Sequence, residues 1–102
     1  MDLKVNFTGS QTVNVSWTAG FDGNSDILSY TVEISEDSQS FTNATCQGSN
    51  ACVVSNSSTS ASLEDLFPWT TYYIRVFATN AVGQSNKSSV VNTTTDEEGT
   101  FT

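Results

Sequence analysis

Alternation of apolar and polar residues recurs in short segments along this chain and constrains its fold more than any other feature. Successive side chains of a β-strand point to opposite faces, so alternation predicts strands with one buried face. The longest clean segment is 28–35, in which Leu28, Tyr30, Val32 and Ile34 are predicted to face inward. We find no segment with a helical period. The sequence therefore predicts an all-β protein.

The same pattern predicts six further strands, separated by stretches rich in Ser, Asn and Gly. They cover residues 3–8, 12–17, 40–45, 60–63, 71–78 and 88–95. In the first of them, Leu3, Val5 and Phe7 are expected to face inward. Seven short strands at this spacing favour one antiparallel β-sandwich. We expect the domain to cover residues 1–95 and residues 96–102 to form an acidic linker or tail.

The charge balance excludes several classes of partner. The formal net charge is −8, from 11 acidic and 3 basic residues. Nucleic acids and anionic lipid surfaces attract basic proteins, so we expect no nucleic-acid partner and no direct membrane binding. No apolar run approaches the roughly 20 residues that span a bilayer. Met1-Asp2-Leu3-Lys4 is no signal peptide, so any signal or membrane anchor is expected outside this stretch.

Two cysteines, Cys46 and Cys52, are separated by five residues that include Gly48 and Asn50. Such a segment turns tightly enough to bring two sulfurs together, which favours a local disulfide. Its expected role is to stiffen one loop. The alternatives are a metal site, for which further soft ligands are missing, and two free thiols in a reducing compartment.

The acceptor pattern for N-linked glycans, Asn-x-Ser/Thr, occurs six times, which exceeds chance placement of the Asn residues. The six candidates are Asn6, Asn14, Asn43, Asn56, Asn86 and Asn92. Together with the cysteine pair they favour a secretory route and an extracellular location. The alternative is a surface rich in Ser, Thr and Asn that matches the pattern by coincidence.

Residues for catalysis are missing from the sequence. The chain has no histidine, so it lacks an imidazole base and a histidine metal ligand, and it has no glycine-rich phosphate loop. Asp22, Asn24 and Asp26 have the spacing of a calcium loop, but Ile27 stands where that loop needs glycine. We predict no catalytic, cofactor-binding or metal-binding residues and no enzymatic activity.

The ordered aromatic and turn residues resemble the fibronectin type III family. The resemblance covers about residues 3–95 and rests on Trp17, Tyr30, the segment 66–72 (Leu-Phe-Pro-Trp-Thr-Thr-Tyr) and the segment 78–83 (Ala-Thr-Asn-Ala-Val-Gly). It implies a seven-stranded Greek-key, immunoglobulin-like sandwich with strands A, B and E in one sheet and C, C′, F and G in the other.

The resemblance also implies structural roles for single residues. Trp17 and Tyr30 are expected in the core, and Tyr72 is expected to form a tyrosine corner whose hydroxyl bonds back to the chain near Leu66. The loop 21–30 is similar to loops in neural cell-adhesion proteins of the immunoglobulin superfamily, although that family often carries Pro where Asp26 stands. The cysteine loop departs from the usual family pattern.

Two groups of aromatic residues are candidate interfaces. Phe67 and Trp69 flank Pro68 at the corner before the strand 71–78, where we expect either contact with a neighbouring module or packing over their own sheet. On that strand the outward-facing residues are expected to form an interaction surface or ordinary cross-strand pairs. These residues are Tyr73, Arg75 and Phe77.

The predicted function is that of a non-catalytic extracellular module in an adhesion or receptor protein. It serves as a spacer and an interaction surface. Neighbouring modules are the expected contacts, and the sequence leaves the protein partner unknown, with a homophilic partner as one alternative. The alternatives are a structural module of an intracellular scaffold, which predicts free thiols and unused sequons, and an accessory module of a secreted enzyme.

Overall fold

The structure is a computed structural model that describes residues 3–18, 27–46, 51–55, 58–80, 83 and 90–96. These residues form strands without helix, so the predicted all-β sandwich is confirmed. The strand bounds are β1 Leu3–Thr8, β2 Val13–Trp17, β3 Ile27–Ser35, β4 Thr42–Asn43, β5 Thr45–Cys46, β6 Cys52–Ser55, β7 Ser60–Glu64, β8 Thr71–Asn80 and β9 Val91–Thr94.

The strands form two antiparallel sheets. One contains four strands in the order β1-β2-β7-β5, and the other has the order β4-β3-β8-β9 with β6 also paired to β3. Because β8 occupies one side of β3, β4 and β6 share its other side, where β6 pairs with Ser29 to Val32 and β4 with Glu33 and Ile34. The two inner faces enclose a single core.

The core consists of the inward-facing residues of both sheets. Trp17 and Tyr30 contact each other across it, with ring centroids 5.5 Å apart and planes tilted by 58°. Such a tilted contact suits the edge and face charges of aromatic rings. Leu66 and Tyr72 complete this group, and all four side chains are at most 8% exposed.

Two residues predicted to face inward point outward instead. Phe7 is 57% exposed and Leu28 is 58% exposed. The pairing register shifts between Val5 and Phe7 in β1, and between Ile27 and Ser29 in β3. In β1 the extra residue is Asn6, which reverses the face of Phe7 after it, and in β3 Leu28 is itself the unpaired extra residue, so both errors arise at bulges.

The chain between β3 and β7 differs most from the prediction. The expected strand at 40–45 is two short strands on opposite sheets, because β4 pairs with β3 and β5 with β7. A further strand, β6, was not predicted and returns the chain to β3. From β4 through β5 to β6 the chain therefore crosses between the sheets twice along one edge of the sandwich.

The predicted disulfide between Cys46 and Cys52 is confirmed, with Cα atoms 5.1 Å apart. Cys46 lies opposite Leu63 at the edge of the four-stranded sheet, and Cys52 lies opposite Val32 in the other sheet. Both cysteines are buried. The expected role of stiffening one loop is therefore too narrow, since the bond joins the edges of the two sheets.

Candidate interaction surfaces

The corner between β7 and β8 is fixed by backbone hydrogen bonds. The Leu66 N–H donates to the Gln11 carbonyl over 3.1 Å, which ties the corner to the turn between β1 and β2. The Phe67 N–H donates to the Tyr72 hydroxyl oxygen over 2.8 Å. This is the tyrosine corner that the resemblance implied, one residue beyond Leu66. Burial raises the pKa of the Tyr72 hydroxyl, because desolvation disfavours the charged phenolate.

The same corner is bonded to the last part of the chain that the structure describes. The Thr95 hydroxyl donates to the Phe67 carbonyl over 2.7 Å and accepts from the Thr70 N–H over 2.9 Å. The Trp69 N–H donates to the Asp96 carbonyl over 3.1 Å. The corner and the segment by which the chain leaves β9 therefore form one hydrogen-bonded unit.

Phe67 and Trp69 project into solvent from this unit, with 66% and 71% of their surface exposed. Of the two expected arrangements, packing over their own sheet is thus excluded. Trp69 also has a φ of +56°, in the left-handed region that L side chains avoid. A large apolar residue in this conformation adds little to folding, because its ring is exposed and its backbone is strained.

The second candidate surface is largely engaged within the chain. The Arg75 Nε donates to a Glu33 carboxylate oxygen over 2.7 Å, between residues directly opposite in the ladder. The guanidinium carbon of Arg75 also lies 3.9 Å from the centroid of the Phe41 ring, in a cation–π contact. Arg75 is therefore occupied by cross-strand partners, and Tyr73 beside it is half-buried.

Phe77 was predicted to lie on this outer face, and this placement at the surface is wrong. Its side chain is only 5% exposed. Thr31, directly opposite on β3, is buried as well. This burial, which Tyr73 and Arg75 on the same strand do not share, makes Phe77 unavailable to a partner in this conformation.

Four of the six glycosylation candidates fall within the described residues. Asn6, Asn14, Asn43 and Asn92 are exposed and lie on strands. Asn14 is paired with Phe7, Asn43 with Glu33, and Asn92 with Tyr73. Asn56 and Asn86 lie outside the described residues, as does the loop 21–26. Glycan attachment remains a prediction at all six positions.

Comparison with known proteins establishes the family. The family profile described as fibronectin type III domain matches residues 1–94. The chain belongs to this family. The resemblance expected from Trp17, Tyr30 and the tyrosine corner is thereby confirmed.

Several relatives of this fibronectin type III domain are cell adhesion molecules. It is 34% identical over 96 residues to cell adhesion molecule DSCAM of Rattus norvegicus, covering 94% of this chain and 5% of that protein. It is also 34% identical to cell adhesion molecule Dscam1 of Drosophila melanogaster, covering 94% of this chain and 4% of that protein. The chain thus spans about a twentieth of the length of these curated relatives.

Solved structures agree with the fold of this fibronectin type III domain. The crystal structure of chicken CNTN1 FN1-FN3 domains superposes with a TM-score of 0.81 at 25% identity, covering 92% of this chain and 31% of that one. A crystal structure of domains from titin superposes with a TM-score of 0.78 at 28% identity, covering 94% of this chain and 31% of that one. The same sandwich therefore occurs in both of these proteins.

In the turn after β3 of this fibronectin type III domain, one acidic residue, Asp37, accepts several hydrogen bonds. The Asp37 carboxylate accepts hydrogen bonds from the Ser40 and Gln39 N–H groups, each over 2.9 Å, and from the Ser35 hydroxyl over 2.7 Å. These bonds lower the pKa of Asp37 from 3.8 to about 2. The carboxylate organises its own turn, with Ser38 at a φ of +65°.

Metal sites and membrane-spanning helices are both missing from the part of the chain that the structure describes. Within the residues placed by the structure, no group of three or more acidic, Cys or His side chains is arranged to hold a metal ion. Over the same residues, no helix has the length and apolar character needed to cross a bilayer.

Sequence reasoning missed two features of these surfaces. Phe41 stacks on Arg75, and Phe7 stands exposed beside Asn14. Both depend on cross-strand register, which a single strand pattern does not reveal. The one available signal for Phe41 was an aromatic residue in a predicted edge strand.

Proposed function

We propose that this fibronectin type III domain is a non-catalytic, extracellular module of a cell-adhesion or receptor protein. The observation that carries the proposal is the match of nearly the whole chain to segments of cell adhesion molecules from vertebrates and an insect. The buried disulfide supports it, since such bonds persist in oxidising compartments. Within the parent protein, the domain holds its neighbours at a fixed spacing and offers a contact surface to them.

The contact surface of this proposal is the corner formed by Phe67, Pro68 and Trp69. Its two aromatic rings are exposed, and the Trp69 N–H is bonded to the carbonyl of Asp96, the last residue that the structure describes. We propose that residues 97–102 link this corner to a following module, which contacts the two rings. Aromatic residues contribute strongly to interfaces once they are desolvated.

The location is tested by secreting the chain from a eukaryotic host and measuring its intact mass before and after deglycosylation and reduction. We expect the mass deficit of one disulfide and occupied sequons. Free thiols without glycans would overturn the extracellular assignment. That result would instead favour the intracellular scaffold, a role for which the similarity to titin domains is the specific support.

The corner contact is tested by hydroxyl-radical footprinting of the isolated chain and of the longer parent chain. We expect oxidation of Phe67 and Trp69 to fall in the parent chain, because the next module covers them. Val53, which is 53% exposed on β6, serves as the control and should be oxidised equally in both. Equal oxidation of Trp69 in the two chains would exclude this contact.

A further inference from the structure

Phe7 is an exposed aromatic residue on a face that is otherwise polar. The bulge in β1 turns its ring outward, and 57% of its surface is exposed. The neighbouring pairs on this outer face are Asn14 with Ser62, and Ser16 with Ser60. None of these side chains is apolar, so the ring has no hydrophobic partner among them. An apolar ring in such a position is expected to have another role than core packing.

The residue directly opposite Phe7 carries a glycosylation sequon. Phe7 and Asn14 are paired in the ladder between β1 and β2, so their side chains share the outer face about 5 Å apart at Cβ. Asn14 is exposed and begins the sequence Asn14-Val15-Ser16. A sugar attached to the Asn14 amide nitrogen therefore starts on the same face as the Phe7 ring, whose Cε2 edge lies toward Gly9.

The chemistry of the first sugar suits this ring. One face of N-acetylglucosamine presents C–H groups, which carry partial positive charge and pack on the negative face of an aromatic ring. The hydroxyl and acetamido groups of the sugar remain free for the polar surroundings. Asn14 also borders a shallow depression whose other lining residues are Asn6, Val15, Ser60, Ala61 and Ser62. Phe7 lies outside this lining, so the amide of Asn6 and the serine hydroxyls can bond only to the parts of the sugar that extend away from the ring.

We propose that an N-linked glycan on Asn14 stacks its first N-acetylglucosamine on Phe7. The stacked sugar covers the exposed ring and fixes the direction in which the glycan leaves the four-stranded sheet. This inference rests on the secretory route of the proposed function, and it adds a defined contact for one of the six sequons.

Asn6 is the competing attachment site, because it forms the bulge next to Phe7. At a bulge two consecutive side chains share one face, so Asn6 and Phe7 both lie on the outer face, where Asn6 also lines the depression beside Asn14. We choose Asn14 because it is paired directly with Phe7 across the ladder, and the Asn6→Gln variant tests this choice. Asn43 provides a matched control, since it is exposed and carries a sequon but lies opposite Glu33 in the other sheet.

The test uses this chain secreted with high-mannose glycans, each trimmed enzymatically to a single N-acetylglucosamine. Site mapping first establishes which Asn residues are occupied. Melting temperatures are then compared for four forms of this chain: the unsubstituted chain, Phe7→Thr, Asn14→Gln and the double variant. We expect the sugar on Asn14 to raise the melting temperature by about 4 °C when Phe7 is present and to have no effect with Phe7→Thr.

A second readout reports stacking independently of stability. The acetyl methyl protons of the sugar on Asn14 should shift upfield in the NMR spectrum through the ring current of Phe7, and this shift should vanish in Phe7→Thr. When the four forms are made with Asn43→Gln in place of Asn14→Gln, the change in melting temperature should not depend on Phe7.

The outcomes separate this inference from the proposed function. Occupied Asn43 and Asn92 with bare Asn14 would overturn the inference alone. The inference alone is also overturned if Asn14 is occupied but its sugar shows no upfield shift and its effect on melting temperature does not depend on Phe7. It is overturned as well if the effect of Phe7 depends on the sugar removed by Asn6→Gln and not on the sugar removed by Asn14→Gln. A chain without any glycan would overturn both the inference and the extracellular assignment.

Discussion

Reducing the disulfide between Cys46 and Cys52 should destabilise both sheet edges and not only the segment between the cysteines. Cys46 belongs to β5 and Cys52 to β6, which pair with different sheets. In the reduced protein these two short strands are held by few hydrogen bonds, since β5 comprises two residues and β6 four. Fraying of both edges is therefore the expected first effect.

The size of the effect follows from the small ring that the bond closes. The cysteines are 6 positions apart. The chain-entropy formula then gives about 2 kcal/mol of stabilisation relative to the reduced unfolded chain. In a domain of this length, that free energy corresponds to a fall in melting temperature of about 10 °C.

The assay is thermal unfolding followed by circular dichroism, with and without a reductant, combined with amide hydrogen exchange. We expect exchange protection to fall at Cys46 and at Cys52 while the ladder between β3 and β8 stays protected. The variant with Cys46→Ala and Cys52→Ala is the control, and its melting temperature should not respond to reductant. The reasoning is refuted if reduction leaves the melting temperature unchanged, or if protection is lost only between the cysteines.

Two further predictions concern single side chains. Tyr72→Phe removes the acceptor for the Phe67 N–H and should lower the free energy of unfolding by about 1–2 kcal/mol in urea titrations, and an unchanged midpoint would contradict this. Hydrogen bonds to the Asp37 carboxylate stabilise its ionised form and lower its pKa in the folded protein to about 2. The turn should therefore persist as the pH falls below 4, and it should be lost as the pH passes through about 2. NMR titration of the Ser40 and Gln39 amides measures this, and Asp37→Asn should show no such transition.

The architecture was predictable because alternation in the central strands is long and regular. The observed β1 has the predicted bounds, and β3 and β8 differ from prediction by one and two residues at one end. The disulfide was predictable from the short spacing of its cysteines. In these segments, local pattern and tertiary packing favour the same conformation.

The errors arise where the register shifts or the chain changes sheets. Alternation assigned Phe7 and Leu28 to the core, but a bulge depends on the partner strand and leaves no mark in the pattern. The strand β6 was missed because only Val53 and Val54 separate Cys52 from a polar run. Its placement depends on contacts with β3 that are distant in sequence.

The candidate surfaces were predicted in part. The exposure of Phe67 and Trp69 was one of two arrangements left open, because their position beside Pro68 shows that a strand cannot continue there and does not show which way the rings turn. The burial of Phe77 was not predicted. Alternation along a strand indicates the face of the sheet on which a side chain lies, and it does not indicate whether other residues cover that side chain. For Arg75 an interaction surface and ordinary cross-strand pairing were both left open, and the pairing that is found depends on Glu33, which is 42 residues away.

Between β4 and β6 the chain crosses from one sheet to the other and back, and this affects whether neighbouring modules at high local concentration can pair their strands. An open strand edge is a template on which a second chain can add a strand, and identical neighbours make such addition easy. Along this side of the sandwich the edge strands are only two, two and four residues long, and they alternate between the sheets. No continuous template of backbone donors and acceptors is offered by these three strands. The disulfide keeps that interruption in place, so this edge is resistant to the strand exchange that begins aggregation.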